Sequence, residues 1–192
     1  MRIYVGLPMS NLAKRVRLFI ALILLWVPTH IAYGEQTIPT SDAPVELSAI
    51  ENFEQVGTAQ MKWLWLKIYQ ATLLTPSGTY QANQWPIALE LLYQQNITAQ
   101  QLIKSTEKDW KRQNIDYSAK WITALEKMWP DISTQDQLTL YVDADSTSHF
   151  FYNGQFIGSI LDPLFSVAFT AIWLSNNTIK PAQRNQLIGI NP

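Results

Sequence analysis

Lys67 and Tyr69 stand two residues apart, and Trp63 and Trp65 continue the same odd-numbered series toward the N-terminus. On an extended strand, residues i, i+2 and i+4 share a face, so this spacing gathers two indole rings, one ammonium and one phenol on a single surface. Such a surface suits an apolar molecule that ends in a carboxylate or a phenol: the rings supply a wall, and the cation and hydroxyl fix the polar end. The same residues also suit a half-solvated sheet face, with the lysine stem lying along apolar surface and the rings packed under a helix. Other reactive side chains offer less. Asp143 and Asp145 in DADSTS start like a calcium loop, but no Gly or Glu follows at the ligating spacing, which leaves a solvated turn. His149 is the one histidine after residue 34, and the chain has no cysteine, so the sequence writes neither a metal site nor thiol chemistry. A catalytic triad would need His149 beside an activated serine, and no nucleophile-elbow motif is present. Nothing implies a cofactor.

The elements that must carry these residues are legible from local signals. VGTAQMKWLWLKIYQATLL, residues 56–74, has no helix cap and reads as one long strand or a tight strand pair. A first strand is expected through Val45–Ile50 and another through Ile87–Tyr93. Thr98 and Gln101 form a capping box that starts a helix running to about Lys111, with Leu102, Ile103, Thr106 and Trp110 on its buried side. Ser118–Trp129 repeats apolar residues at helical spacing and stops at Pro130. Leu138–Val142 alternates as a strand. Phe150–Tyr152, Asn153-Gly154 and Phe156–Ile160 then make a hairpin, because Asn-Gly best tolerates the two positive φ angles of a type I′ turn. Asp162-Pro163 pairs an N-cap acceptor with a residue suited to the first helical position. Phe165, Ala168, Phe169, Ile172 and Trp173 give the buried face of that helix, which Ser175-Asn176-Asn177 ends, and Lys180-Pro181 opens a last short helix closed by Gly189. Strands, two helices, a strand meander and more helices make an α+β domain, an antiparallel sheet backed by helices.

The N-terminal residues carry an address. Lys14, Arg15 and Arg17 precede an apolar run of 10 residues, Leu18 to Val27, and Ala32-Tyr33-Gly34 supplies small residues at the −3 and −1 positions of a cleavage site. Charged, apolar and small-residue regions in that order define a secretory signal peptide over residues 1–34. The run is short for a bilayer, which needs about 20 residues. The expected location is therefore periplasmic or secreted, with membrane contact only through this segment before cleavage. Residues 35–44, with two prolines, read as a flexible lead-in, and 45–190 as one domain. The first 34 residues hold four of the 14 basic residues and no acid, so the remainder has 10 basic against 15 acidic residues, a net −5. That balance argues against a nucleic-acid partner, which wants a basic patch.

WLKIYQATLL, LELLYQQNITAQQLIKSTEKDW and FYNGQFIGSILDPLFSVAFTAIWL, followed by TIKPAQRNQLIG, resemble the bacterial, signal-peptide-bearing branch of the chalcone isomerase-like family from about Val45 to Gly189. The resemblance implies an open-faced β-sandwich, a large antiparallel sheet with helices on one side. Members either close a chalcone to a flavanone or bind fatty acids. The resemblance places Tyr69 at the family's Thr/Tyr strand position and Ser166 at its Ser/Thr position on a later helix. Thr98, Gln101 and Ser105 stand where the enzyme has Tyr, Lys and Asn, and the stretch Gly57–Gln60 has no arginine where the catalytic one should fall. Without that electrostatic clamp, the term that usually dominates such catalysis is gone. The sequence therefore favours an exported, non-catalytic domain that binds an amphipathic molecule such as a fatty or aromatic acid, at Lys67, Tyr69, Trp63, Trp65 and Ser166. The competing functions are an intramolecular lyase or isomerase with non-standard residues, and an envelope protein-interaction module.

Overall fold

A computed structural model describes residues 46–190. The signal segment 1–34 and the lead-in 35–44 lie outside the described residues, as does Val45. Six strands form one antiparallel sheet in sequence order: β1 (Glu54–Trp63), β2 (Leu66–Thr75), β3 (Ile87–Tyr93), β4 (Gln137–Val142), β5 (Ser148–Tyr152) and β6 (Gln155–Ile160). Helices α1 (Ala99–Arg112) and α2 (Ala119–Met128) fall between β3 and β4, and α3 (Pro163–Leu174) and α4 (Pro181–Leu187) follow the sheet. Among the described residues, no helix is long and apolar enough to cross a membrane.

Strand register decides which residues meet the helices. Met61 pairs with Tyr69, Tyr69 with Tyr93, Leu91 with Leu138 and Leu140 with Phe150, so these side chains share one face. That face and the helices enclose the core, in which Trp110, Leu125, Phe150, Phe165 and Leu187 have no exposed surface. Trp110 lies edge-on to Trp121, Phe165 and Phe169, and its Nε1–H donates to the Ala168 carbonyl at 2.7 Å, so its one polar atom is satisfied inside the core. The expected α+β open-faced sandwich is the architecture found.

The local signals formed as written. Thr98 Oγ1 accepts from the Gln101 N–H, and Gln101 Oε1 accepts from the Thr98 N–H, closing the capping box. Asp162 caps α3 through the Leu164 N–H, with Pro163 at its first position. Asn153 and Gly154 both have positive φ, 48° and 81°. Residues 56–74 form a strand pair rather than one strand, turning at Leu64-Trp65. The expected first strand is replaced by a single 3₁₀ turn, Leu47–Ile50. After it, Phe53 meets the Tyr141 ring edge-on, on the sheet face away from the helices. The segment leads onto that face instead of adding a strand to the sheet beside β1.

Candidate functional site

One irregularity shapes the cleft. Met61 pairs with Tyr69, but the next residue on β1, Lys62, pairs with Lys67, so Ile68 is an extra residue on β2. A bulge of this kind bends its strand and re-aims the neighbouring side chains. Ile68 and Tyr69 consequently both line the space between the sheet and helices α1 and α3. That space has two chambers that share Ile68, Tyr69, Ser105, Ile172 and Trp173 as a common wall.

The inner chamber, about 150 Å³, is lined by Leu91, Tyr93 and Leu138 from the sheet, Leu102 and Thr106 from α1, and Trp129 and Phe169. Its polarity is low and specific. Thr106 Oγ1 is used by the Leu102 carbonyl. Trp129 Nε1 is buried with no acceptor among the described residues, an N–H facing no protein partner. Such an orphan donor is uncommon in a native core.

The outer chamber, about 400 Å³, carries the charge: Lys62 from β1, Lys108 and Arg112 from α1, and Lys180 before α4. Arg112 is committed, donating to Asp109 at 2.7 Å and to the Asn177 carbonyl at 2.7 Å. Lys62, Lys108 and Lys180 form no ion pair among the described residues. Trp63 and Ile179, both mostly exposed, complete the outer rim.

Tyr69 sits at the junction. Its hydroxyl accepts from Trp173 Nε1–H at 2.9 Å, and burial pushes its pKa up to about 12. Burial also raises the neighbouring Tyr93 phenol, whose ring lies 5.3 Å from that of Tyr69. A phenol held neutral, with its oxygen already accepting one hydrogen bond, can still donate its own proton to a ligand, but it is no base at neutral pH. The cleft carboxylate, Asp109, is taken by Arg112 and Gln113. The lining thus provides hydrogen-bond donors, cations and an apolar wall.

The residues singled out from sequence separate in space. Tyr69 and Trp63 line the cleft. Lys67 is exposed and does not line it; Lys62, its partner across the ladder, does. Trp65, 86% exposed, projects from the β1–β2 turn. The single-strand alternation that put all four on one face is broken twice, by that turn and by the bulge at Ile68. Ser166 has no exposed surface; it donates to the Ser146 carbonyl at 2.6 Å and lies 2.7 Å from Ser148 Oγ, tying α3 to β5 outside both chambers. Of the three helix positions suggested by the resemblance, Thr98 and Gln101 are consumed by the capping box and Ser105 lines both chambers. Lys62, Lys108, Lys180 and Trp129 carry no short-range signal, because only the register and the helix packing bring them together.

His149 does have a serine beside it. Its Nδ1 lies 2.7 Å from Ser159 Oγ and its Nε2 2.8 Å from Asp143 Oδ2, across the open face of β5 and β6. Neither chamber is lined by these groups. Asp143 also accepts from the Asp145 and Thr147 N–H groups, so the chain of bonds ties the β4–β5 turn to two strands. Among the described residues, no three metal-ligating side chains converge.

Residues 50–189 match the family model described as chalcone isomerase-like. The chain belongs to that family. This chalcone isomerase-like chain is 28% identical over 142 residues to an uncharacterised protein of Haemophilus influenzae, spanning 72% of this chain and 69% of that one. Its fold is similar to the crystal structure of a fatty-acid binding protein of Arabidopsis thaliana, with a TM-score of 0.58 at 9% identity, covering 72% of this chain and 88% of the other. At that identity the likeness concerns the fold alone.

Proposed function

We propose that this chalcone isomerase-like domain binds an amphipathic acid without transforming it, the apolar tail in the inner chamber and the carboxylate at the mouth. The observation that carries this reading is the segregation of charge. Three lysines without an ion pair among the described residues ring the outer chamber, and the inner one has rings, aliphatic side chains and neutral donors. A carboxylate driven into the inner chamber would lose its hydration without gaining a cation, whereas at the mouth it keeps both water and charge partners. Tyr69 then donates at the junction. The likeness to a fatty-acid binding protein supports the class of ligand. The pattern of residues 1–34 adds export to the proposal, so that the domain works outside the cytoplasm.

The test is displacement of a fluorescent fatty acid. Ser105→Trp places an indole at the neck shared by both chambers, on an exposed position of α1 where folding tolerates it, and is expected to abolish binding. Lys108→Ala is expected to weaken binding by about twofold to fivefold, the size of one exposed charge interaction. Unchanged probe affinity in the Ser105→Trp protein would sink this reading.

A further inference from the structure

The β1–β2 turn is built against its own stability. Leu64, its first residue, is held at φ 55°, a left-handed conformation that costs a residue with a Cβ and that glycine or asparagine adopts freely. The same sheet shows the inexpensive solution at Asn153-Gly154. At the first turn stand leucine and tryptophan instead, and neither is buried. Trp63, Leu64, Trp65 and Leu66 are 69, 68, 86 and 38% exposed, a contiguous apolar tip bracketed by Lys62 and Lys67. No packing within the described fold explains these side chains. Strain kept at an exposed apolar turn points to use rather than to folding.

We infer that this tip docks on a lipid bilayer with anionic headgroups. Tryptophan is the residue that prefers the membrane interface, and leucine beside it can enter the acyl boundary. The tip itself holds no acid, and the two flanking lysines stand where phosphates would lie. The charge of the surrounding surface fits the same partner. Lys62, Lys108 and Lys180 open to one side around the outer chamber, although the chain as a whole carries a net −1. Trp63 belongs to both features, the tip and the rim of the cleft. A tip lodged in the interface therefore sets the mouth of the cleft against the lipid surface, and an acyl chain leaving the bilayer enters without crossing open water. That last step rests on the proposed ligand reading; the docking does not. The inference also departs from the expectation that the chain meets a membrane only through its N-terminal segment.

The chain has no cysteine, so a single one can be introduced and labelled in the full-length protein. Trp65→Cys carries an environment-sensitive fluorophore at the tip. Asp145→Cys carries it on the β4–β5 turn, at the opposite end of the sheet, and serves as the control. With vesicles of three parts phosphatidylcholine to one part phosphatidylglycerol, the tip label should brighten about threefold or more and shift to the blue, and the control should not. Reading one site against another keeps the test valid even where residues 18–27 also bind lipid. Lys67→Glu and Leu64→Asn, added together to the labelled protein, should remove most of the response; asparagine suits the left-handed turn, so folding is spared. Raised salt should weaken the response as well. Equal signals at residues 65 and 145, or a tip response indifferent to both substitutions, would overturn the docking. Probe displacement by fatty acid in solution is measured on the same proteins. If it persists while docking fails, only this inference falls; if it is lost while docking holds, only the ligand reading falls.

Discussion

Two carboxylates show how a single residue answers to its surroundings with opposite sign. Asp136 accepts from the Tyr152 hydroxyl, the Asn153 amide and the Ser133 N–H, and these bonds hold its pKa below the ordinary aspartate value. Its contribution to stability is present above the unfolded aspartate pKa, about 3.9, and is lost as pH falls through the lower folded value. Glu90, half-buried on the other sheet face opposite Thr139, has its pKa raised by burial. Its ionised form disfavours folding at neutral pH, and that deficit disappears as pH falls below its unfolded value. Urea midpoints should therefore show Asp136→Asn less stable than the parent at pH 7, with the difference fading in strong acid. Glu90→Gln should be more stable at pH 7 and indistinguishable below about pH 4. Parallel curves for parent and variant across the range would contradict the assigned causes. Asp136 also shows what one residue can conceal from a sequence reader. Its partners are spread over a loop, a strand end and a hairpin turn, and nothing in the residues near it announces the convergence.

At the scale of elements, legibility followed the range of the interaction. The capping box at Thr98 and Gln101, the Asn153-Gly154 turn and the Asp162-Pro163 helix start are each complete within four residues, and all three formed. Residues 56–74 do not announce their division into β1 and β2, because Leu64-Trp65 is a poor turn sequence whose apolar side chains extend either neighbouring strand. The bulge at Ile68 was hidden for a related reason: in LWLKIYQA either register yields an apolar face, so alternation cannot choose. Lys67 thus looked like the cleft cation when Lys62 holds that place. The fit of β1 against α4 was equally invisible, since it rests on one missing side chain. A Cβ at Gly57 would collide with the Gln186 carbonyl oxygen and stand 2.8 Å from that of Leu187, both backbone atoms of α4. Neither can rotate away. Gly57→Ala should push α4 off the sheet and cost about 2–3 kcal/mol by thermal unfolding. A change of a few tenths would mean that α4 shifts freely and does not fix this edge of the sheet.

For the molecule as a whole, the cleft is a place where the core was left unfinished. Beside it the helix-facing side of the sheet is closed by aromatic rings: Trp110 and Phe150 each lie edge-on to Phe165 and Phe169, which stack on each other. Between β2, β3 and α1 the packing stops, and the inner chamber of about 150 Å³ is lined by side chains that a larger neighbour could reach. Empty apolar volume weakens a fold because its walls lose their contacts, so a chamber kept open is stability forgone, which the proposed binding would account for. Thr106 is the position from which to reverse that choice. It is buried on α1 facing the chamber, and its hydroxyl bonds only to the Leu102 carbonyl one turn back, a bond the helix does not need. Thr106→Leu adds apolar volume to the chamber and strands no polar partner, since that carbonyl already accepts from the helix backbone. The melting temperature should rise by a few degrees, in keeping with about 1 kcal/mol of recovered burial. Under the head-outward arrangement the loss of depth falls on the tail. Long-chain acids should lose affinity while short ones, which stop at the neck beside Tyr69 and Ser105, keep theirs, and Lys108→Ala should weaken both lengths alike. A variant that weakened short and long acids equally would place the carboxylate, rather than the tail, in the inner chamber.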